Sequence, residues 1–129
     1  FQPYDLPESP LAGVARMLSC TKSIQEAYPD LTIIGSGLSY LRQFAPQMAA
    51  GAVREGYFQI AGFGRMAFAY PDFAKDILSG KDLDSRKCCI ACGKCSQLMR
   101  FGSKAGCVVR DSVYTKLYQE AVQGQKPRL

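Results

Sequence analysis

The sequence lacks several features that would mark a specialised class of protein. None of its apolar runs is long enough to cross a bilayer. It has no internal repeat, no low-complexity tract and no histidine. Hydrophobic residues make up 47% and charged residues 21% of its 129 positions, which is the composition of an ordinary soluble globular domain. The composition therefore predicts a single folded unit that needs no membrane.

The N-terminal residues show neither a start site nor a signal peptide. The first residue is Phe1, and three prolines occupy the first ten positions in place of the basic and apolar regions of a signal peptide. We therefore expect a fragment or a processed chain.

Basic residues outnumber acidic ones, which gives a formal net charge of +5. They are spread along the chain without the aromatic spacing of a stacking platform, so we expect a solvated basic surface and no nucleic-acid partner. The charge bias is strongest between residues 86 and 110, which contain no acidic residue. The basic residues of that segment are Arg86, Lys87, Lys94, Arg100, Lys104 and Arg110.

Hydrophobic spacing predicts alternating helices and strands in the first part of the chain. Ser9 and Pro10 are typical of a helix N-terminus, and apolar residues follow at steps of three and four as far as Tyr28. The apolar segments 31–35 and 58–62 each run into a glycine-containing loop, as buried parallel strands do. Pro46 interrupts the next helical pattern, so we predict a short turn over 39–44 and a helix from about Ala45 to Gly56. A further short helix is predicted over 71–78.

This order predicts an α/β fold built from βα units of a parallel sheet. Two parallel strands are too few for such a sheet, so residues 1–80 are expected to be a slice of a larger structure. Alone, the slice would expose strand edges, and we expect a homo-oligomer. A linker and a cysteine segment occupy residues 81–111, and residues 112–129 hold a terminal helix over 112–122 and a loose end.

Five of the six cysteines lie between residues 88 and 107. Cys89, Cys92 and Cys95 have C-x2-C-x2-C spacing, and Cys107 follows after eleven intervening residues. Three thiols at steps of three can converge on one centre only if the backbone wraps it as a loop, which Gly93 makes easier. Four thiolates of this kind suit an iron–sulfur cluster or zinc. The overlapping triple favours iron, because structural zinc sites usually pair two separated C-x2-C knuckles. The sequence therefore predicts a 4Fe–4S cluster, with zinc or no metal as the alternatives.

The other two cysteines have different interpretations. Cys88 adjoins Cys89 and can hardly bind the same centre in the same geometry, so a spare or buried thiol is favoured, while Cys88 as first ligand stays open. Cys20 lies on the first helix and is predicted to be a small core residue. A secreted disulfide framework is disfavoured, because adjacent cysteines and βα architecture both indicate a reducing cytoplasm.

Two glycine loops, "IGSGLS" and "GFGRM", each follow a predicted strand. Exposed backbone N–H groups in such loops can bind an anion, and Arg65 can add a charged donor. The last two loops of a (β/α)8 barrel commonly form a phosphate site in this way. The loops therefore predict phosphate binding, with ordinary turns as the alternative.

Three stretches of the sequence resemble a known family. "GSGLSYLRQFAP", "GFGRMAFAYPDFAKDIL" and "CIACGKCSQLMR…GCVVRD" are similar to the C-terminal quarter of old yellow enzyme-like NADH:flavin oxidoreductases. The nearer branch contains 2,4-dienoyl-CoA reductase and trimethylamine dehydrogenase, and it adds a cysteine-bound cluster after the barrel. The similarity runs from about residue 10 to residue 111.

The resemblance implies that segments 31–35 and 58–62 are strands seven and eight of a TIM barrel that binds FMN. Family enzymes pass a hydride from NAD(P)H to FMN and then to an activated alkene or another acceptor. The residues that match the FMN phosphate loops are Ser36, Gly37, Gly64 and Arg65. Those that match the ligands of the cluster, which carries single electrons, are Cys89, Cys92, Cys95 and Cys107.

The chain also departs from the family pattern. The histidines that orient substrate and the tyrosine that donates a proton lie on earlier strands of the barrel, and this chain has no histidine. Tyr40, Tyr57 and Tyr70 do not match the proton donor and are interpreted as packing residues. We therefore expect no catalytic residue and no turnover in the isolated chain. The complete enzyme would need the rest of the barrel.

Overall fold

Short helices surround a two-stranded parallel sheet in the computed structural model, which describes residues 8–124. In chain order the elements are α1 (Pro10–Ala27), β1 (Ile34–Gly35), a 3₁₀ helix (Leu38–Phe44), α2 (Ala45–Arg54), β2 (Ile60–Ala61), α3 (Gly64–Ala69), α4 (Phe73–Leu78), α5 (Lys94–Arg100) and α6 (Ser112–Val122). The arrangement is mainly helical, with the mixed α/β character that the sequence predicts. Among the helices between residues 8 and 124, none is long and apolar enough to cross a membrane.

The sheet confirms the predicted parallel pairing. Ile34 lies opposite Ile60 and Gly35 opposite Ala61, and the N–H of Gly62 continues the ladder by donating to the carbonyl of Gly35 over 2.7 Å. The paired segments are shorter than the predicted strands. Because parallel strands end at the same edge of a sheet, the two glycine loops leave the sheet side by side.

The first hydrophobic cluster lies between the sheet and two helices. Phe58 is 1% exposed and packs directly over Gly35. A Cβ atom at Gly35 would lie closer than 3.0 Å to that ring, so only glycine fits beneath it. Leu18 of α1, the fully buried Leu38 of the 3₁₀ helix and three alanines of α2 complete the cluster. The alanines of α2 are Ala45, Ala49 and Ala52.

The outer face of α1 differs from the sequence prediction. Leu18 is buried, but Leu11, Met17 and Ile24 of the predicted apolar stripe are exposed. Cys20 is also exposed, so the prediction of a core residue there was wrong. The physical reason is the narrow sheet, which offers α1 only a small surface to cover.

A second hydrophobic cluster joins α3 to the cysteine segment. Its buried members are Met66, Ala69, Tyr70, Leu83, Cys88 and Cys89. Phe63 packs against both clusters, and Arg42 of the 3₁₀ helix donates a hydrogen bond to the carbonyl of Ser85 over 2.9 Å. These contacts hold the cysteine segment beside the second glycine loop.

Candidate metal centre

The four cysteines predicted as ligands line one cavity. They are Cys89, Cys92, Cys95 and Cys107, and the same cavity is lined by two arginines, Arg65 and Arg110. Apolar side chains complete its wall: Phe68, Ile90, Val108 and Val109. The structure therefore brings together thiols that are up to 18 positions apart in the sequence and surrounds them with apolar and cationic groups.

Different local features position each thiol. Cys89 is buried in the second hydrophobic cluster, whereas Cys92 is exposed. Gly93 has a φ of 73°, a left-handed conformation that glycine adopts without steric cost, and it directly precedes α5. Cys95 is consequently carried by the first turn of a helix that the sequence did not predict. The sequence pattern had suggested a continuous loop.

Cys107 is positioned by the packing of α6. Gly106, the residue before it, is buried against the ring of Tyr114, so closely that a Cβ atom could not be accommodated. The hydroxyl of Thr115 lies 2.6 Å from the carbonyl oxygen of Val108 and 2.9 Å from that of Asp111, and its one proton is shared between these two acceptors. The start of α6 is thus tied to the backbone that follows Cys107.

The backbone between the first two ligands is strained. Ala91 has a φ of 56°, a left-handed conformation that costs a non-glycine residue about 1–2 kcal/mol. In that conformation its N–H donates to the sulfur of Cys89 over 3.3 Å. Strain of this kind persists where the surrounding structure imposes it, and it is frequent at ligand-binding sites.

The local electrostatics act on Cys89 in opposite directions. Burial raises the pKa of the Cys89 thiol, and the neighbouring thiols Cys95 and Cys107 raise it further. The hydrogen bond from Ala91 and the positive charge of Arg65 act to lower the pKa. Because the net direction is upward, a metal that binds Cys89 as a thiolate must displace its proton.

Cys88 has a different environment from Cys89. It is fully buried, its thiol donates to the carbonyl of Asp84 over 3.4 Å, and burial raises its pKa. Arg110 donates to its carbonyl oxygen over 3.2 Å. Cys88 does not line the cavity. It thus packs in the core while its neighbour faces the other thiols.

The donor set fits an iron–sulfur cluster in kind and number, but the cavity is narrow. Its volume is about 20 Å³, which holds roughly one water molecule. Among residues 8–124, no group of three or more histidine, cysteine, aspartate or glutamate side chains is placed to hold a metal ion. The thiols line a common space without being gathered at ligand distances.

The residues predicted to bind phosphate lie on two adjacent turns. Ser36 and Gly37 follow β1, and Gly37 has a φ of 87° at the start of the 3₁₀ helix. Gly64 and Arg65 begin α3, and the N–H of the next residue donates to the buried hydroxyl of Ser39 over 3.3 Å. This hydrogen bond joins the start of α3 to the 3₁₀ helix that follows the first glycine turn, and phosphate binding by the two turns stays a prediction. The side chain of Arg65, however, lines the cysteine cavity.

Sequence reasoning missed the apolar part of the cavity wall. Phe68, Ile90 and Val109 carry no sequence pattern that would place them beside the thiols. A signal did exist for Arg110, since it belongs to the segment without acidic residues.

Comparisons with known proteins do not assign the chain to a family. No protein-family model, no curated protein and no solved structure matches the chain. The chemical capacity of the site therefore rests on its own groups: four thiols that can act as soft metal ligands, and two arginines that can offset negative charge.

Proposed function

We propose that this chain is the C-terminal segment of an FMN-dependent NAD(P)H:flavin oxidoreductase of the old yellow enzyme-like type. In this proposal it supplies half of the FMN phosphate site and a four-cysteine site for a 4Fe–4S cluster. The observation that carries the proposal is the common cavity lined by Cys89, Cys92, Cys95 and Cys107. The complete enzyme includes the remaining barrel strands and acts in the cytoplasm.

The composition of the cavity supports iron–sulfur ligation. Four thiols suit the preference of such clusters for cysteine, and the lining contains no carboxylate that would compete as a hard ligand. The N–H of Ala91 already points at the sulfur of Cys89, and hydrogen bonds to ligand sulfurs are among the factors that set a cluster's potential.

The sheet supports the larger architecture. Two strands do not form a stable sheet by themselves, and the paired Ile34 and Ile60 are 62% and 48% exposed. A TIM barrel would cover these side chains and provide hydrogen-bonding partners for the outer strand edges. Without the rest of the barrel, a second copy of this chain is expected to pair there.

The chain's own groups have limited roles in the proposed reaction. The turns at Ser36–Gly37 and Gly64–Arg65 would hold the phosphate of FMN through backbone N–H groups. The cysteines would hold the cluster, and the apolar wall would restrict water around it. When bound, FMN supplies hydride transfer and the cluster supplies single-electron transfer. The groups that orient and protonate the substrate would come from earlier strands, so the chain alone should show no turnover.

Anaerobic reconstitution of the full chain with iron and sulfide tests the proposal. We expect a brown protein with about four iron and four sulfide per chain. The Cys92→Ala and Cys107→Ala variants should lose most of the cluster, while Cys20→Ala, which removes the exposed thiol on α1, should retain it. Iron uptake that is unaffected by Cys92→Ala and Cys107→Ala would contradict the proposed ligand set.

The alternative is a stand-alone zinc-binding module in which the four thiols have a structural or interaction role. Four thiolates also form a common zinc ligand set, so the same lining of four cysteines is compatible with this alternative. Offering the chain zinc in competition with iron and sulfide distinguishes the two functions. A colourless protein that binds one zinc ion per chain and does not bind iron and sulfide would support the zinc module.

A further inference from the structure

The side chain of Arg65 lies in a part of the structure that the sequence did not predict. It is the second residue of α3, immediately after the second glycine loop, where a phosphate-binding arginine is expected. Its side chain instead lines the cavity formed by the four cysteines. Arg65 therefore links the second glycine loop to the cysteine cavity.

The residues that line the cavity distinguish Arg65 from the other arginine there. The lining contains no aspartate or glutamate, so no carboxylate within it neutralises the guanidinium. The other arginine of the lining, Arg110, already donates a hydrogen bond to the carbonyl of Cys88.

We propose that Arg65 is the charge partner of the cysteine cavity, and that its guanidinium raises the reduction potential of the cluster held there. This inference rests on the proposed cluster function. A cluster becomes more negative by one charge when it takes up an electron, and a nearby cation stabilises the more negative state. Removing the cation should therefore make the cluster harder to reduce.

The test is a redox titration of the reconstituted full chain, with the reduced cluster measured by electron paramagnetic resonance. At a fixed potential near the midpoint, Arg65→Gln should lower the ratio of reduced to oxidised cluster by about three- to tenfold, equivalent to about 28–59 mV for one electron. Arg65→Lys keeps the positive charge and should stay closer to the wild type than Arg65→Gln does.

Arg100→Gln is the matched control. Arg100 belongs to the same basic segment but lies at the end of α5 and does not line the cavity. Its replacement removes one positive charge from the segment and should leave the potential nearly unchanged. Circular dichroism of each variant confirms that the fold is retained. If Arg65→Gln prevents loading while Arg65→Lys and Arg100→Gln load normally, the charge role is also supported.

Three results would overturn the inference. Equal shifts in Arg65→Gln and Arg100→Gln would show an effect of net charge alone. An unchanged potential in Arg65→Gln, combined with weaker binding of inorganic phosphate or FMN, would assign Arg65 to the phosphate turn. A wild-type chain that takes up no cluster would refute the proposed function and this inference together, whereas the first two results leave the proposed function intact.

Discussion

Replacing Gly106 with alanine should disturb both the packing of α6 and the position of Cys107. Gly106 is buried, and an added Cβ atom would lie closer than 3.0 Å to three ring atoms of Tyr114. Ordinary contacts begin at 3.4 Å, so the ring or the glycine backbone would have to move by more than 0.4 Å. The hydrogen bonds of Thr115 to Val108 and Asp111 oppose that movement, because they tie the start of α6 to the same loop.

The expected cost follows from this overlap. Inserting a methyl group into a well-packed site costs about 1–3 kcal/mol when neighbouring groups cannot relax freely. Gly106→Ala should therefore lower the free energy of unfolding by about that amount. It should also reduce the iron bound on reconstitution, because Cys107 is the next residue in the chain.

Urea denaturation of the metal-free chain, followed by circular dichroism, measures the stability change. Gly51→Ala is the matched control, since a Cβ atom there meets nothing within 4 Å and the residue lies inside α2. That variant should gain about 0.5–1 kcal/mol. A combined Gly106→Ala and Tyr114→Ala variant should be less destabilised than the sum of the single changes, because the overlapping ring is gone. The reasoning fails if Gly106→Ala is as stable as the wild type.

Three further outcomes are expected. Gly35→Ala should lower the free energy of unfolding by about 1–3 kcal/mol in urea titrations, because the buried ring over β1 leaves no room for a methyl group; an unchanged midpoint would contradict this packing. Cys89→Ala should abolish cluster binding, while Cys88→Ala should retain iron but lose stability; the opposite pattern of iron content would make Cys88 the first ligand. The hydrogen bond to Asp76, together with burial, raises the pKa of Tyr70 above its ordinary 10.0, so this stabilisation is complete below pH 10 and is lost as the pH rises through the raised pKa. Urea unfolding from about pH 9 to about pH 11 should consequently show a weaker loss of stability in Tyr70→Phe than in the wild type, and parallel pH profiles would refute the assignment.

The elements that the sequence predicted correctly have strong local signals. α6 was predicted over 112–122 and observed at Ser112–Val122. Pro46 separated a turn from a helix, and the structure has a 3₁₀ helix followed by α2 from Ala45. These boundaries depend on local backbone preferences, which a single sequence records.

The elements that were missed depend on tertiary contacts. α3 is only six residues long and begins at Gly64, so its sequence has the character of a loop. α5 was hidden because the cysteine spacing suggested a loop, while the helix is held in part by Leu98, which is fully buried. Helices as short as α3 and α5 contain too few residues to show a periodic hydrophobic pattern, so their packing could not be predicted from the sequence.

The site shows the same division. The spacing of the cysteines predicted that they share a metal centre. The structure places all four around one cavity, while the metal centre itself stays a prediction. The contribution of Arg65 to that cavity was not predicted, because it requires α3 to pack against a segment more than twenty residues away. The exposure of Cys20 was not predicted either. The apolar stripe on α1 suggested a wider core than a sheet of two short strands can provide.

Native mass spectrometry of the intact chain after anaerobic reconstitution tests the central claim most directly. The account predicts a single added species whose mass corresponds to four iron and four sulfide, and which disappears in the Cys92→Ala variant. A chain that carries one zinc ion, or that remains at the mass of the bare polypeptide under the same conditions, would contradict it.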